Sequence, residues 1–453
     1  MEINTAIVAG TGKSGISATK LLVNHGVKVY LFDENKDRDI EAIKEKTGDS
    51  ELVQIELGEL GEDALSSSQL MVISPGIPVD APFTDVVRNA GIPIWSEIEL
   101  AYHYGKGKIA AITGTNGKTT TTALVGEIVK AHNAKTIVVG NIGIPYTELC
   151  DTTDDDSDTV ADISSFQLET VIDFHPNVSA ILNLTPDHLN RHYTFENYGN
   201  VKFSITKNQT MDDVTVLNYD DEHTRAMGEK AKDHCHVVYF SRLEKPAGGV
   251  YVEDGDIILE DGDKKINVLA IKDLKLMGAH NVENVLAAVG ISYYMGVPVD
   301  VIRDVATSFK AVAHRIEYVD TVDGVAYYND SKGTNPDAAI KGIQAMVAPT
   351  FLIGGGYDKG SEYDEWIEAF DGKVKWLVLI GQTAQKIADC AKRHGFNSII
   401  FEENLQDAVA YCHENAVDGD AVLLSPACAS WGQFDNYEQR GDMFKEYVRS
   451  YKE

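Results

Sequence analysis

The sequence predicts an α/β fold of three successive domains. Short apolar strands alternate with helical stretches along most of the chain, which is typical of parallel sheets covered by helices. The 453 residues are enough for about three domains. The composition, 43% hydrophobic and 24% charged with 12 prolines, excludes a disordered or fibrous chain. We place the domains at residues 1–97, 98–310 and 311–453.

The first domain opens with an apolar strand at 3–9, a helical stretch at 16–25 and a second strand at 27–32, and a further short strand lies at 71–74. A glycine-rich segment, Gly10-Thr11-Gly12-Lys13-Ser14-Gly15, follows the first strand, and Asp33 ends the second. This pattern is typical of a Rossmann-like domain that holds a nucleotide or its diphosphate at a helix N-terminus. Taken alone, it would indicate NAD.

The central domain starts with an apolar strand at 108–112, and a helix is expected from about Thr121. Between them lies Gly114-Thr115-Asn116-Gly117-Lys118-Thr119-Thr120, a shortened variant of the P-loop with Ile112 where its first glycine usually stands. Backbone N–H groups and the helix dipole would hold a polyphosphate. Lys118 would contact the β- and γ-phosphates, and the Thr119 hydroxyl would bind Mg²⁺. ATP binding is therefore predicted.

Two further segments of this domain carry polar groups that suit metal ions. Asp162 follows an apolar stretch, and residues 183–188 are predicted to form a strand that ends at His188. A carboxylate and an imidazole at neighbouring strand ends could hold metal ions beside a transferring phosphoryl group, although a structural role for His188 is about equally expected. Alternating residues at 249–270 predict a small antiparallel excursion, and a helix is expected at 280–294.

The third domain alternates predicted strands with helices at 384–394 and 405–415. The strands are placed at 325–328, 350–353, 376–380, 398–401 and 421–424. Polar or glycine-rich segments follow three of them, at 329–335, 354–356 and 425–430. Each could be a plain turn, but three at one sheet edge favour a site. A second Rossmann-like α/β domain is predicted.

Acidic residues outnumber basic ones by 70 to 40, giving a formal charge of -30. Such a surface repels nucleic acid, so no nucleic-acid partner is expected, whereas an anionic small substrate could bind where lysines, arginines and helix N-termini collect. The five cysteines are scattered and contain no C-x-x-C pair, which indicates reduced thiols. We find neither an apolar run of the ~18 residues that span a bilayer nor a basic leader, so we expect a cytoplasmic protein without a membrane partner.

Several motifs together resemble those of the Mur ligases, and the likeness runs from Gly10 to Arg440. They are 114–120, Ser164-Ser165-Phe166-Gln167-Leu168-Glu169, Asp187-His188-Leu189, His314-Arg315, Asn329-Asp330-Ser331-Lys332-Gly333-Thr334-Asn335 and Leu424-Ser425-Pro426-Ala427-Cys428-Ala429-Ser430. Within the family, the likeness is greatest to the members that add D-glutamate. It implies an ADP-forming acid–D-amino-acid ligase of peptidoglycan precursor synthesis. Its small-molecule substrates would be UDP-N-acetylmuramoyl-L-alanine, D-glutamate and ATP. The first two would be joined through an acyl phosphate, and the enzyme would be a monomer.

The resemblance also implies roles for individual residues. The catalytic set would be Lys118, His188, Lys202 and Lys332. ATP contacts would be Gly114, Thr115, Asn116, Gly117, Lys118, Thr119, Thr120, Asn281, Asn284, Arg315 and Asp330. The uridine-linked substrate would contact Ser14, Asp33, Gly76, Asn141, Ser164, Gln167 and His188, and D-glutamate would contact Thr334, Lys359, Ser430 and Tyr437. Two Mg²⁺ ions would be held by Thr119, Asp162, His188 and a CO₂-derived carbamate on Lys202.

The sequence departs from the family where Asp162 replaces the usual Glu, one methylene longer. Other interpretations stay open. A different Mur ligase or a folylpolyglutamate synthase would share the scaffold. An NAD-dependent oxidoreductase would use the first glycine-rich segment, and a nucleotide-binding scaffold without activity would be explained by Asp162.

Overall fold

The computed structural model describes residues 3–141, 143–276, 278–310 and 313–452, with the backbone alone at 190. The described chain forms two compact units, Met1–Asp273 with Glu283–Thr307, and Leu274–Val282 with Ser308–Glu453. None of the helices in the described part of the chain is both long enough and apolar enough to cross a membrane.

The first unit begins with a five-stranded sheet. Its strands are β1 (Thr5–Ala9), β2 (Lys28–Asp33), β3 (Val53–Leu57), β4 (Leu70–Ile73) and β5 (Ile94–Ser96). The helices are α1 (Lys13–Asn24), α2 (Ile40–Thr47), α3 (Glu62–Ser67), α4 (Pro82–Asn89) and α5 (Glu97–Tyr104). The strands are parallel in the order β3-β2-β1-β4-β5. The strand order runs from β1 to β3 toward one side of the sheet and from β4 to β5 toward the other, so it reverses between β1 and β4. At such a point, α/β proteins bind ligands at the carboxyl ends of the strands.

Both faces of this sheet are buried at its centre, which explains why β4 and residues 6–9 of β1 are apolar. Ala6 and Val8 of β1 belong to one hydrophobic cluster, and Ile7 and Ala9 belong to another. Successive side chains of a strand point to opposite faces, so each face has its own core.

The same unit contains a nine-stranded sheet. Its strands are β6 (Lys108–Thr113), β7 (Thr136–Gly140), β8 (Asp158–Asp162), β9 (Val178–Ile181), β10 (Val214–Asn218), β11 (His236–Ser241), β12 (Gly249–Glu253), β13 (Asp256–Asp261) and β14 (Lys264–Ala270). The helices are α6 (Lys118–His132), α7 (Tyr146–Leu149), α8 (Ser165–Leu168), α9 (Leu189–His192), α10 (Phe195–Phe203), α11 (Glu222–Ala231), α12 (Ala279–Tyr294) and α13 (Val299–Ser308), with short 3-10 turns at Cys150–Thr152, Ser204–Thr206 and Ile271–Asp273.

The strand order of this sheet is β14-β13-β12-β11-β10-β9-β6-β8-β7. Strands β6 to β12 pair in parallel, whereas β12, β13 and β14 pair antiparallel, so the predicted antiparallel excursion is confirmed. Strand β6 lies between β8 and β9. The segments that follow these three strands therefore meet at one edge of the sheet.

The second unit contains a six-stranded sheet. Its strands are β15 (Glu317–Val322), β16 (Val325–Asn329), β17 (Thr350–Gly354), β18 (Val374–Leu379), β19 (Ile399–Phe401) and β20 (Ala421–Leu424). The helices are α14 (Pro336–Ala345), α15 (Asp364–Glu368), α16 (Ala384–Arg393), α17 (Leu405–Asn415) and α18 (Tyr437–Ser450). The order is β15-β16-β20-β17-β18-β19, parallel except for the antiparallel pair β15–β16.

The α/β prediction with three parallel-dominated sheets is confirmed, but some elements differ. The strand predicted at 183–188 is wrong, because β9 ends at Ile181. Helix α6 begins at Lys118 rather than near Thr121. The three sheets fall inside the three predicted domain ranges, although residues 274–282 cluster with the second unit. The predicted boundary at residue 311 lies outside the described residues.

Candidate active site

The carboxyl ends of β1 and β4 open into a pocket of about 480 Å³. Its lining residues are Gly10, Thr11, Gly12, Lys13, Ser14, Asp33, Glu34, Arg38, Ser74, Pro75, Gly76, Ile77 and Asn141. Four predicted contacts of the uridine-linked substrate are therefore together: Ser14, Asp33, Gly76 and Asn141. Gly15 is required here, since a Cβ on it would lie 1.8 Å from the Gly10 carbonyl oxygen. Helix α1 can thus approach the strand end closely enough to present its N-terminus to an anion.

Asp33 is held at the edge of this pocket in its charged form. Its carboxylate accepts hydrogen bonds from the Thr11 hydroxyl (2.6 Å), the Thr11 N–H (3.1 Å) and the Asn35 N–H (3.0 Å). Burial alone would raise the pKa of Asp33, but these bonds and the Arg38 guanidinium outweigh burial and lower it. An ionised carboxylate here is a strong acceptor for a ligand hydroxyl or N–H group.

The glycine loop between β6 and α6 has the backbone that phosphate binding needs. Gly117 caps α6 with a φ of 86°, in the left-handed region that favours glycine. Asn116 is fixed by Asn183, whose side chain accepts from the Asn116 N–H (2.8 Å) and donates to its carbonyl oxygen (3.1 Å). A Cβ on Gly117 would lie 2.3 Å from the Asn284 side-chain oxygen, so α12 packs directly on the loop.

Two lysine amines converge on one carbonyl of this loop. The Gly114 oxygen accepts from Lys118 Nζ (2.7 Å) and from Lys202 Nζ (2.8 Å). Lys202 lies on α10, is only 1% exposed and also donates to the Thr113 hydroxyl (3.3 Å). Burial and then the neighbouring Lys118 charge lower the pKa of Lys202 well below its usual value. The attraction of this loop for an anion therefore comes from Lys118 and from the N-terminus of α6 rather than from Lys202.

The predicted metal-binding residues lie around the same sheet edge. Asp162 ends β8, pairs in register with Ile112 of β6 and is fully buried. His188 caps α9 in a left-handed conformation (φ 53°), with Nε2 3.5 Å from an Asp187 oxygen. Thr119 lies in the first turn of α6. The Thr119 hydroxyl and the Asp162 carboxylate are hard oxygen donors, so the residues present fit Mg²⁺.

The side chains of Ser164 and Gln167 form hydrogen bonds with each other and with neighbouring groups of the chain. They form a capping box at the start of α8, in which the Gln167 side-chain oxygen accepts from the Ser164 N–H (2.9 Å) and hydroxyl (3.1 Å). The Gln167 amide also bonds the fully buried Glu97 carboxyl, whose pKa is raised by burial. Neither residue lines the pocket of about 480 Å³.

The remaining predicted ATP contacts are divided between the units. Asn284 belongs to the first unit, whereas Asn281, Arg315 and Asp330 belong to the second. Asp330 follows β16 and accepts from the Ser425 hydroxyl (2.7 Å) and the Ile316 N–H (3.3 Å). Burial raises the pKa of Asp330 to about 7, even though Arg315 lies close enough to oppose the shift.

The second unit brings the predicted D-glutamate residues to its strand ends. Residues 357 and 429 form an isolated antiparallel bridge, which joins the segment that carries Lys359 to the segment that carries Ser430. Lys332 Nζ lies 5.3 Å from the centre of the Tyr437 ring. Half-buried Thr334 follows two residues later, and its N–H bonds the Lys332 carbonyl oxygen (2.8 Å). Lys359 Nζ lies 5.9 Å from the centre of the Trp431 ring. Two lysine amines suit the two carboxylates of a dicarboxylate.

Sequence reasoning missed the residues that hold these segments in place. Asn183 was read as part of a strand, whereas it fixes the glycine loop. Arg440 is fully buried, with its guanidinium donating to the Ser331 hydroxyl (2.9 Å), the Ser331 carbonyl oxygen (2.7 Å) and the Cys428 carbonyl oxygen (3.2 Å). Burial lowers the pKa of Arg440 to about 10. The Arg440-Gly441 pair belongs to the family likeness, but that likeness did not indicate that this arginine is buried or which groups it bonds.

Comparison with family models covers most of the chain. The Mur ligase MurD-like N-terminal domain matches residues 4–96, the Mur ligase middle domain matches 112–292, and the Mur ligase glutamate ligase domain matches 314–428. Among solved structures, UDP-N-acetylmuramate-alanine ligase MurC from Thermotoga maritima has a TM-score of 0.60 at 18% identity, with 99% of this chain and 100% of that chain covered. MurF from Acinetobacter baumannii has a TM-score of 0.63 at 16% identity, with 97% and 93% covered. These structures share the fold.

Curated relatives match over nearly the full length. A protein of Lachnospira eligens is 55% identical over 450 residues, covering 99% of both chains. A protein of Lachnoclostridium phytofermentans is 51% identical, covering 99% of this chain and 98% of its own. One of Clostridioides difficile is 46% identical, covering 98% of both chains. The chain therefore belongs to the Mur ligase family. All three relatives bear the name UDP-N-acetylmuramoylalanine–D-glutamate ligase.

Proposed function

We propose that this chain is an ATP-dependent, ADP-forming ligase that joins D-glutamate to UDP-N-acetylmuramoyl-L-alanine in peptidoglycan synthesis. One structural observation carries the proposal: the glycine loop, Lys118, Lys202 and the buried Asp162 lie at one sheet edge. The relatives so named cover the whole chain at 46–55% identity, which supports this choice of substrates.

The chemistry explains why such a site needs cations more than acid–base pairs. A carboxylate reacts poorly with an amine until one of its oxygens becomes a good leaving group. Transfer of the γ-phosphoryl group of ATP to the L-alanyl carboxylate gives an acyl phosphate and ADP. The D-glutamate amine then attacks the carbonyl carbon, and phosphate leaves. The protein's part is to position the reactants and to balance charge on the oxygens.

The pocket at the ends of β1 and β4 would hold the uridine diphosphate part of the substrate. The N-terminus of α1 faces the pocket through Gly12, Lys13 and Ser14, which suits a diphosphate. Asp33, kept ionised by its hydrogen bonds, would accept from a hydroxyl or N–H of the ligand. With this assignment, the glycine-rich segment would bind the uridine-linked substrate and not NAD.

We assign the nucleotide triphosphate to the glycine loop at the start of α6. Lys118 would contact the β- and γ-phosphates, together with the backbone N–H groups of 114–120. Bound Mg²⁺, two ions in this proposal, would neutralise charge on the phosphate oxygens. Thr119, Asp162 and His188 would hold it.

A carbamate on Lys202 would complete the metal-binding set. The ammonium would first lose a proton to solvent, and the neutral amine nitrogen would then add to the carbon of CO₂ and lose a second proton, which turns a cationic side chain into an anionic one. Lys202 is buried beside the Gly114 carbonyl and feels the charge of Asp162, so an anionic oxygen there could share a cation with that carboxylate. The replacement of Glu by Asp162 shortens one arm of this set by a methylene.

The amino acid would bind in the second unit. D-Glutamate carries two carboxylates, and Lys332 and Lys359 are the cations that would pair with them, with Thr334, Ser430 and Tyr437 as hydrogen-bond partners. Asn281, Arg315 and Asp330 would contact the nucleotide. The domain bounds 1–97, 98–310 and 311–453, a monomeric state and a cytoplasmic location complete the proposal.

A substrate-omission assay tests this function. Purified protein is incubated with ATP, Mg²⁺ and the uridine substrate, and phosphate release is measured with D-glutamate, L-glutamate, L-alanine, L-lysine or diaminopimelate. We expect release only with D-glutamate, with a glutamyl product detected by mass. Release with another amino acid would indicate a different family member. No release under any condition would indicate an inactive nucleotide-binding scaffold.

A further inference from the structure

Two helices of the second unit place four metal-binding side chains side by side. Asp364 and Glu368 lie four residues apart on α15, and Cys390 and His394 lie four residues apart at the end of α16. Residues at this spacing share one helix face. The two helices pack against each other, with the apolar part of Cys390 in the hydrophobic cluster between them. None of these residues is used in the proposed ligase reaction.

The polar atoms of these side chains lie close to one another. His394 Nε2 lies 2.8 Å from an Asp364 oxygen, and His394 Nδ1 lies 3.7 Å from a Glu368 oxygen. One donor atom from each of Asp364, Cys390 and His394 lies within 4.8 Å of the other two. Cys390 is 2% exposed, whereas a quarter of the His394 side chain and 43% of the Asp364 side chain are open to solvent. An ion can therefore enter from one side and meet a buried sulfur at the other.

We propose that Asp364, Cys390 and His394 form a binding site for Zn²⁺ or a similar thiophilic divalent cation, distinct from the magnesium-binding residues of the first unit. Sulfur, imidazole nitrogen and carboxylate oxygen together are the ligand set that selects Zn²⁺ over Mg²⁺. Zinc ligands lie about 3–4 Å apart in a tetrahedral site, so shifts of about 1 Å would close the cluster.

Metal binding would release one proton from Cys390, and the Glu368 carboxylate would support the ligating histidine. The metal–sulfur bond replaces the thiol S–H bond of Cys390, and the proton goes to solvent. His394 Nε2 would bind the metal, while Nδ1–H donates to Glu368, the carboxylate–histidine–metal arrangement that orients a ligating imidazole. Water would take the fourth position. Arg393, whose Nη2 lies 3.4 Å from Asp364, is 60% exposed and can turn away into solvent.

The described residues contain one other cluster of this kind, and it differs in two respects. Glu99, His103 and Asp173 include no sulfur. Both oxygens of the Glu99 carboxylate already accept backbone N–H groups, from Ile172, Asp173 and Phe174. A thiophilic ion would therefore choose the cluster on α15 and α16.

Cobalt absorption tests the proposal without relying on enzyme activity. The full chain is titrated with Co²⁺ in excess Mg²⁺, which occupies oxygen-rich sites. We expect one equivalent of Co²⁺ to give a thiolate-to-cobalt charge-transfer band, which Zn²⁺ then abolishes. Because the proposed magnesium site has no cysteine, this band cannot come from that site.

Variants separate this site from stray thiol binding. Cys390→Ser and His394→Gln should each lose the band and weaken Zn²⁺ binding by about 100-fold or more, while Glu368→Gln should weaken it about tenfold. His394→Gln leaves every cysteine in place and changes a partly exposed side chain, so it serves if Cys390→Ser fails to fold. Asp389→Asn, an exposed acid on α16, should keep the band. A wild-type chain without the band, or a band that survives in His394→Gln, would overturn the proposal.

Discussion

At the scale of single residues, the hydrogen bonds to the Gly114 carbonyl oxygen bear most directly on the proposed chemistry. It accepts hydrogen bonds from two lysines, one of which, Lys202, is almost wholly buried. Each amine also bonds a second oxygen, Lys118 the Thr115 carbonyl oxygen and Lys202 the Thr113 hydroxyl. The charges of Asp187 and Asp162 favour the protonated form of Lys202, but burial and the Lys118 charge outweigh them and lower its pKa. A lysine that loses its proton readily is the form that adds CO₂, which is why we propose the carbamate at this position.

Replacing Lys202 tests the carbamate. Lys202→Ala should lower turnover about 100-fold or more, because the anionic oxygen beside Asp162 is lost. Formate or acetate should restore part of the activity by filling the space with a carboxylate. The measurement is phosphate release with and without added acid.

Lys118→Ala provides the matched control for this rescue. It should lose as much turnover, but a carboxylate cannot replace a cation, so short acids should not restore it. Binding of the uridine substrate should persist, since its pocket is built from other residues. Full activity in Lys202→Ala, or rescue of both variants alike, would contradict the carbamate.

Asp330 makes stability depend on pH. Its pKa is raised from 3.8 to about 7 in the folded chain by burial. Between these values, the unfolded chain has lost the proton that the folded chain still holds. Stability should therefore fall as pH rises from about 4 to 7, by up to about 1.4 kcal/mol per pH unit for this one group.

Asp330→Asn should remove that part of the pH dependence. The amide keeps the shape of the protonated acid and cannot ionise, so the variant should gain on the wild type as pH rises toward 7. Urea unfolding at several pH values measures the difference between the two profiles. Asp389→Asn, at an exposed position, should leave the profile unchanged. Parallel profiles for wild type and Asp330→Asn would show that Asp330 is ionised throughout.

At the scale of elements, a buried carboxylate joins helix α5 to the chain segment before β9. Glu99 is fully buried, and its oxygens accept the N–H groups of Ile172 (2.9 Å), Asp173 (2.7 Å) and Phe174 (3.0 Å). The Glu99 carboxylate thus satisfies the backbone N–H groups of a segment after α8 that belongs to no helix or strand. It also fixes the distance between α5 and the central sheet.

Glu99→Gln should destabilise the protein by about 2–4 kcal/mol, because an amide offers one acceptor oxygen in place of two and leaves backbone donors without a partner. The free energy of unfolding in urea measures this loss. Glu41→Gln is the control, since its ion pair with Lys44 is exposed and should contribute under about 0.5 kcal/mol. Equal effects of the two substitutions would exclude the proposed role of Glu99.

Regular elements were predictable where a local pattern decides them. Strand β1, the antiparallel strands β12 to β14 and helices α16 and α17 lie where apolar periodicity and turn residues place them. The strand predicted at 183–188 failed for a physical reason. Asn183 bonds the backbone of Asn116 on both sides, and Pro186 has no N–H to give a neighbouring strand, so the segment holds the glycine loop instead.

Candidate site residues were predictable where they belong to a recognisable motif or to the family likeness. Spacing alone placed Lys118 on the glycine loop, and the family resemblance placed Lys202, which the fold brings from 88 residues away to the same Gly114 carbonyl. Glu97 carries no motif, and the Arg440-Gly441 pair fits the family pattern without indicating what Arg440 does. Their importance comes from burial, which depends on tertiary packing that one sequence does not reveal.

At the scale of the whole molecule, the tasks of a ligase are divided between the units. The first unit contains both segments proposed to bind anions, one at the ends of β1 and β4 and the other at the start of α6. The second unit contains the lysines proposed for the amino acid. A formal charge of -30 keeps most of the surface repulsive to anionic substrates, so binding depends on these local cations.

The central claim is that a substrate carboxylate becomes reactive by taking the γ-phosphoryl group of ATP, and oxygen isotope transfer tests it most directly. UDP-N-acetylmuramoyl-L-alanine labelled with ¹⁸O in both carboxylate oxygens is converted with ATP and D-glutamate, and the released phosphate is examined by mass. The acyl phosphate predicts one ¹⁸O atom in each phosphate and one in the new amide. Phosphate without ¹⁸O, or AMP in place of ADP, would contradict it.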